Sequence, residues 1–454
     1  MRADVLIVGG GGGAYPAAFA LAEAGRHVVM VDPKGVLGGN CLFEGCIPSK
    51  TVREMGHLLV RAQRLLGSTT RADFGAIQAH RDHVQEMRFE MHRKELLDHP
   101  NVTFFPGTAR LRGNGRATVR MEDGEREVEA DSTILATGTE AVRPPIPGQE
   151  LCWTSDDLFR YRTPIRELPE DVVIVGGGYI ALEIACILRS LGSRVRLLVR
   201  SHVLLRGADP DLVALLQHSL PGLDILWNST LARVDRDGGS LVVRGLRGTK
   251  PYEERTDACL LAVGRTPVLP DGARETGLSV DPRGFVVTDE FLRTNIPGVY
   301  ATGDVNGRAP YFHAAVRESL AAAHNILAGH RPVDPVNFAA IPVTIFTDPP
   351  MAWVGLTRTQ AHQRSVEVTE ASYPFSTDPK AQMYREADGE IRLFFDRGSR
   401  RLRGGWVLGI QAPELINEIG LAVSAGLTAR ELAEFPDQHP TSHEGISKAA
   451  RQIV

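Results

Sequence analysis

The sequence predicts an α/β protein with two copies of a dinucleotide-binding unit and a separate α+β domain at its C-terminal end. Three observations predict it. A glycine-rich turn between an apolar strand and a helix occurs at residue 9 and recurs at residue 176. Each helix leads into a second apolar strand, so both turns sit in a complete strand–helix–strand unit. From Pro342 the pattern changes to short strands and then helices, as in "APELINEIGLAVSAG".

The first unit reads "DVLIVGGGGGAYPAAFALAEAGRHVVMVD". Asp4–Val8 is continuously apolar after its first residue, as suits a parallel strand covered on both faces. Gly9 and Gly11 permit a tight turn and close approach to a pyrophosphate, and Ala14 takes the third, small-residue position. Asp32 ends the second strand, where a carboxylate accepts from ribose hydroxyls. Phe74–His99 has the length and charge interleaving of a long helix, with short strands through "NVTFFPG" and "STILATG".

After the proline-spaced link "RPPIPG", the grammar returns in "DVVIVGGGYIALEIACILRSLGSRVRLLVR", with Gly176, Gly178 and Ala181 as the fingerprint. One such motif is weak evidence. Two in one chain imply two Rossmann-like domains and two dinucleotides. Further buried strands follow in "ACLLAVGRTP" and "GVYATGDVNG", the latter with Asp304 just beyond its end. The expected boundaries are 1–149 and 268–335 for the first domain, 150–267 for the second, and 336–454 for the α+β domain.

Composition narrows the class. The chain is 43% apolar and 23% charged, with net charge −4, which gives no reason to expect nucleic acid or an anionic membrane as partner. No apolar run approaches the ~18 residues of a membrane helix. The chain enters "ADVLIVGG" directly, which reads as a strand and not as a signal peptide. A cytoplasmic location is expected, where closely spaced cysteines are more often catalytic or metal-binding than structural.

The stretch "GGNCLFEGCIPSK" carries Cys41 and Cys46, two of five cysteines. As a structural staple they would close a very short loop, which removes little chain entropy. As zinc ligands they would join His439 and His443, whose spacing fits. Compact Cys2His2 modules keep such pairs close in sequence, however, and these lie at opposite ends of the chain, so no metal is expected. The redox reading uses more of the context. Pro48 suits a helix's first turn and "SKTVREMGHLLVRAQRLL" continues amphipathically, so Cys46 lies near a helix N-terminus that favours thiolate. Cys41 is expected in the preceding loop, more open to an incoming disulfide. Cys152, Cys186 and Cys259 lie in unrelated contexts and read as small core residues.

"GGNCLFEGCIPSK" resembles the active-site segment of the flavoprotein disulfide reductases, the family that includes dihydrolipoamide dehydrogenase, glutathione reductase and mercuric reductase. "ATG" at 136–138, "AVGR" at 262–265, "ATGDV" at 301–305, "DPPMAWVGLT" at 348–357 and "HPTSHE" at 439–444 follow in the family's order. The resemblance implies an FAD-dependent enzyme that passes electrons between NAD(P)H, flavin, a Cys41–Cys46 disulfide and an external dithiol or disulfide. It assigns FAD to Gly9, Gly11, Ala14, Asp32, Lys50, Thr137, Gly138, Asp304 and His313. It assigns the nicotinamide dinucleotide to Gly176, Gly178, Tyr179, Ala181, Arg200, Arg206 and Gly264. Cys46 would face the flavin as thiolate, Cys41 would exchange with substrate, and Lys50 with Glu183 would form an ion pair beside the flavin. The C-terminal domain would make a homodimer and lend His439, oriented by Glu444, to the partner's site.

Departures from the family pattern bear on substrate. The first helix, "YPAAFALAEAG", lacks the arginines with which glutathione reductases grip a charged peptide, and no cysteine follows Cys259, unlike mercuric reductases. A dihydrolipoamide dehydrogenase-like enzyme is the leading reading, its substrate a lipoyl group on a carrier protein. Phe43 and Glu44 replace the common Asn-Val, and Asp437 stands where many relatives have a first histidine. Glu44 is expected either to repel anionic disulfides or to point to water. Two alternatives stay open: an NADPH-dependent reductase of another small disulfide, and a flavin redox sensor that does not turn over. Arg200 stands where an NAD-preferring fold has an acid, and Arg206 has the spacing of a second phosphate-binding arginine, so NADP is favoured over NAD.

Overall fold

The computed structural model describes residues 1–220 and 222–454. Its first layer is a 7-stranded sheet. The strands Val102–Pro106, Val28–Asp32, Arg2–Val8 and Gly124–Leu135 lie side by side in parallel, and Val299–Ala301 also pairs with Gly124–Leu135. Arg116–Met121 and Thr108–Gly113 extend it antiparallel. Register puts Ile7 between Met30 and Ile134, three residues with no exposed surface. Strands covered on both faces explain why this run carries no polar alternation. Helices Tyr15–Glu23 and Phe312–Leu327 pack together on that core.

The second unit has a 5-stranded parallel sheet in the order Asp224–Trp227, Arg194–Val199, Asp171–Val175, Ala258–Leu261 and Trp153–Thr154. A separate antiparallel sheet of Ser229–Asp237, Ser240–Arg247 and Lys250–Thr256 lies beside it. The C-terminal unit is a 5-stranded antiparallel sheet, from Val343–Ile345 to Val368–Pro374, backed by helices Ala412–Ala425 and Glu444–Ala450. The long helix after the first domain's start runs Phe74–Leu97, capped by the Asp73 carboxylate accepting from the Ala76 N–H at 3.0 Å.

Two sequence expectations need correction. Cys41 is not in a loop: it lies on the short helix Gly39–Phe43, and it is part-buried like Cys46. Cys152, Cys186 and Cys259 are buried, but Cys152 and Cys259 do not have unrelated surroundings. They flank the paired residues of Trp153–Thr154 and Ala258–Leu261, and their thiols interact. Sequence separation of more than a hundred residues hid a contact that only the crossover to adjacent parallel strands creates.

Candidate active site

Backbone contact, not side chains, brings the redox segment to the first glycine turn. Gly9 has φ +121°, and a Cβ there would meet the Ala136 carbonyl oxygen at 2.2 Å. A Cβ on Gly39 would come within 2.7 Å of Gly11 Cα, so the helix that carries Cys41 rests directly on the turn. Ala14 is fully buried behind it. Asp32 ends its strand buried, which pushes its carboxyl up, while the Lys34 N–H donates to Oδ1 at 2.8 Å and opposes that shift.

Cys46 is the first residue of helix Cys46–Leu66, and both thiols are free. The Cys41 thiol donates to Cys46 and, with Lys50, holds it below the ordinary thiol value against the opposing effect of burial. The same interaction and burial push Cys41 far up. The two sulfurs therefore differ in acidity, with charge favoured on Cys46.

Glu44 neither points to water nor presents a free charge. Lys34 Nζ donates to Glu44 Oε1 at 2.8 Å and to Asn40 Oδ1 at 2.9 Å, and lies 4.6 Å from the centre of the Phe43 ring. Phe43 in turn packs on Phe89. Asn40 Nδ2 donates to the Thr139 carbonyl at 2.6 Å. The residues that depart from the family pattern thus clamp the segment between the cysteines.

Lys50 Nζ donates to Glu183 Oε2 at 2.7 Å, from the second unit's helix Tyr179–Leu191. Gly56 lets the two helices approach: a Cβ there would sit 2.1 Å from Ser190 Oγ. Glu183 Oε1 accepts the Phe346 N–H at 3.0 Å, so one carboxylate joins all three units. The Phe346 ring lies 4.5 Å from Lys50 Nζ.

Asp304 is desolvated, which pushes its carboxyl up, and accepts from Thr139 Oγ1 at 3.0 Å. Arg265 fixes Thr139 through Nε to Oγ1 at 2.9 Å and Nη2 to the carbonyl at 2.8 Å. Part-buried, with acceptor capacity left over, Asp304 fits the hydroxyls of a polyol chain. Gly138 has φ +69° with nothing within 4 Å of a Cβ position, an open stretch of backbone beside it. These features fit FAD. Thr137 and His313 point differently: Thr137 Oγ1 donates to the Val268 carbonyl, and His313 Nε2 donates to the Pro342 carbonyl at 2.8 Å.

The second turn repeats the first. Gly176 has φ +139°, with the Ala262 carbonyl oxygen 2.3 Å from a Cβ, and Ala181 is fully buried. Gly178 and Gly264 face open space. Tyr179 is part-buried next to Asp304 and Tyr311, and this desolvation and the Asp304 charge keep its hydroxyl protonated. Arg200 and Arg206 are exposed and make no ion pair among the described residues, whereas Arg194 and Arg196, on the strand that ends at Val199, are bound to Asp171.

His439 and Glu444 meet in the C-terminal unit, Nδ1 to Oε1 at 3.0 Å, with the His439 side chain 70% exposed. Burial pushes the Glu444 carboxyl up, but the Thr441 N–H, Lys448 and His439 together hold it below its usual range. Neither residue is among the groups that act on Cys41 within the chain. His443 bonds Glu418, and Asp437 accepts from Ser447.

Residues 3–319 match the model of the pyridine nucleotide-disulphide oxidoreductases, and residues 341–450 match that family's dimerisation domain. The chain belongs to this family. It is 31% identical to a dihydrolipoyl dehydrogenase of Vibrio parahaemolyticus, over 99% of this chain and 95% of that protein. Among solved structures it resembles LpdA of Mycobacterium tuberculosis, with TM-score 0.90 and 25% identity over the whole of both chains. It also resembles the Cu(II) complex of RclA, an HOCl-induced flavoprotein disulfide reductase of Escherichia coli, with TM-score 0.89 and 25% identity over both whole chains. The chain is a dihydrolipoyl dehydrogenase-like flavoprotein disulfide oxidoreductase. FAD and a nicotinamide dinucleotide are typical of the family, and the dimerisation domain marks it as one that pairs. No helix among the described residues is long and apolar enough to cross a membrane.

Sequence reasoning passed over Lys34, Asn40, Thr139, Tyr311 and Arg265. Arg265, the last residue of the family's "AVGR" segment, and Asn40, inside "GGNCLFEGCIPSK", carried a signal.

Proposed function

We propose that this member of the family interconverts a lipoyl-type dithiol and its disulfide, prefers NADP, and works as a homodimer. The observation that carries the reading is the unequal thiol pair seated, through Gly39, against the first dinucleotide turn. Glu44 is neutralised by Lys34, and the first helix brings no arginine, so the site offers an uncharged substrate no handicap.

A bound FAD supplies two-electron carriage between nicotinamide and sulfur. When the Cys41–Cys46 disulfide opens, Lys50 stabilises the negative charge left on Cys46, and Glu183 holds Lys50 in place. Cys41 then attacks the external disulfide as thiolate, forming a Cys41–substrate bond as the substrate S–S bond breaks; Cys46 afterwards attacks Cys41, re-forming the internal disulfide and releasing the substrate dithiol. The partner subunit's His439 takes the Cys41 proton at Nε2, because Glu444 engages Nδ1 and leaves that nitrogen's lone pair free. The proton returns to the leaving thiol.

NADPH differs from NADH by a 2′-phosphate, and exposed Arg200 and Arg206 suit it. Each charge-assisted bond is worth on the order of 1.5–3 kcal/mol. In Arg200→Glu/Arg206→Ala, kcat/KM for NADPH should fall by about 10²–10⁴, with NADH little changed. A wild-type preference for NADH would overturn the NADP reading. Substrate is tested by steady-state turnover with lipoamide, glutathione disulfide, coenzyme A disulfide and mercuric ion. Lipoamide should give the highest kcat/KM; turnover confined to glutathione disulfide would replace the lipoyl reading by a small-disulfide reductase, and a single turnover with every substrate would make the protein a sensor.

A further inference from the structure

The edge of the second parallel sheet holds two thiols that the chemistry above leaves unused. Trp153 pairs with Leu260 and Thr154 with Leu261, so one step back in register sets Cys152 beside Cys259. Adjacent strands lie about 4.8 Å apart, inside the roughly 4.4–6.8 Å range of Cα separations that a disulfide spans. Both residues are almost fully buried, at 2% and 1% exposure, in a cluster with Val173, Val175, Leu198 and Val243. Cys152 Sγ also lies 3.7 Å from the Gly148 carbonyl, and Arg143 donates to the Cys152 carbonyl at 2.9 Å.

The geometry points to Cys152 and Cys259 as a second redox-active dithiol, which closes to an intramolecular disulfide when a small neutral peroxide reaches it. The pair is unequal in the same sense as the first. Cys259 donates to Cys152, and with the Arg143 guanidinium nearby this holds Cys152 down against burial; the same contact and burial hold Cys259 up. The Gly148 carbonyl accepts the Cys152 thiol proton in the resting pair, so that proton leaves before Cys152 acts as the nucleophile, and Cys259 supplies the second proton.

The steps balance. Cys152 thiolate attacks one peroxide oxygen; an S–O bond forms, the O–O bond breaks, and the departing hydroxide leaves as water with one thiol proton. Cys259 sulfur then attacks the sulfenic acid; the S–S bond forms, the S–O bond breaks, and a second water leaves with the other thiol proton. Two thiols lose two electrons and two protons, and one hydrogen peroxide becomes two waters. Burial restricts the oxidant to a small uncharged molecule, because a peptide disulfide cannot enter the cluster. A small dithiol reverses the change by exchange when the edge opens.

The bond would matter because Trp153–Thr154 is a strand of two residues, held only at one edge. It follows the link from the first domain, while Ala258–Leu261 runs on to Gly264 and Arg265 beside Thr139. Oxidation would fasten the entry of the second domain to its exit.

The test exposes the folded holoenzyme to hydrogen peroxide, quenches in acid, alkylates in denaturant and maps peptides. The expected result is a linked pair of peptides carrying Cys152 and Cys259, removed by dithiothreitol. Cys186, buried with no cysteine neighbour, is the internal control and should alkylate fully. Cys152→Ala should leave Cys259 fully alkylated; Cys259→Ala gives the reciprocal check if the first variant folds poorly. Full alkylation of Cys152 and Cys259 after peroxide has oxidised Cys41 and Cys46 would overturn the inference. So would linkage that appears only when oxidant is present during unfolding.

Discussion

Replacing Cys46 by serine removes the sulfur on which Lys50 and the Cys41 thiol act. Partial reduction of the wild type should give a long-wavelength flavin–thiolate band. Cys41→Ser should show such a band without reduction, and Cys46→Ser should lack it. Because Cys46 is held below the ordinary thiol range, the band should persist as pH falls into the range where a free thiol is protonated. A spectrum with the band in Cys46→Ser would exchange the two roles. At this scale the sequence was legible where a residue's partner is near in the chain or belongs to a motif. Glu44 was misread because its partner Lys34, ten residues earlier, meets it only through the turn that Gly39 makes over Gly11.

Among elements, helix Phe312–Leu327 carries a carboxylate that steadies the segment holding Asp304. Glu318 Oε2 accepts the Gly303 N–H at 2.8 Å and Asn306 Nδ2 at 2.6 Å. Burial outweighs these bonds and raises its carboxyl to about 8. Between the ordinary glutamate range and that value, the folded chain holds a proton that the unfolded chain has released. Stability contributed by this group is therefore present at low pH and declines as pH rises through that window. Glu318→Gln keeps an acceptor in place and removes the titration. Its thermal midpoint should match the wild type near pH 5 and exceed it by pH 8, by an amount worth on the order of a few kcal/mol. Parallel curves for the two proteins across that range would mean that Glu318 is ionised throughout. Nothing in "FHAAVRESLAAAHNIL" announces this, since a glutamate amid alanines reads equally as a solvated helix residue. The strands and long helices were legible because continuous apolar runs and glycine turns are local signals.

For the whole molecule, the proposed loan of His439 to the partner subunit's thiols predicts complementation between inactive subunits. Cys41→Ser and His439→Ala subunits, each inactive alone, should regain roughly half of wild-type activity per heterodimer, because one site in each is intact. Subunit exchange is followed independently by mass. Absence of activity in verified heterodimers would place the base in the same chain as the thiols. The duplicated fold was readable from sequence because each copy needs the same glycine: Gly9 against Ala136 and Gly176 against Ala262. What the sequence did not disclose is how the units are joined, since those contacts, Glu183 to Phe346 or Gly56 against Ser190, link residues far apart in the chain.

The Glu183 carboxylate also orders events in time. The ribosome delivers it 163 residues before the Phe346 amide that completes its bonding. Until then the nascent chain has its cysteines, its lysine and its first sheet, but the clamp on Lys50 lacks its last anchor. The Lys50 contribution to the acidity of Cys46 is therefore expected to reach its full value only when the C-terminal unit docks. Nascent chains arrested before residue 343 should show Cys46 alkylating more slowly near neutral pH than in the full-length protein, and equal rates would refute this ordering.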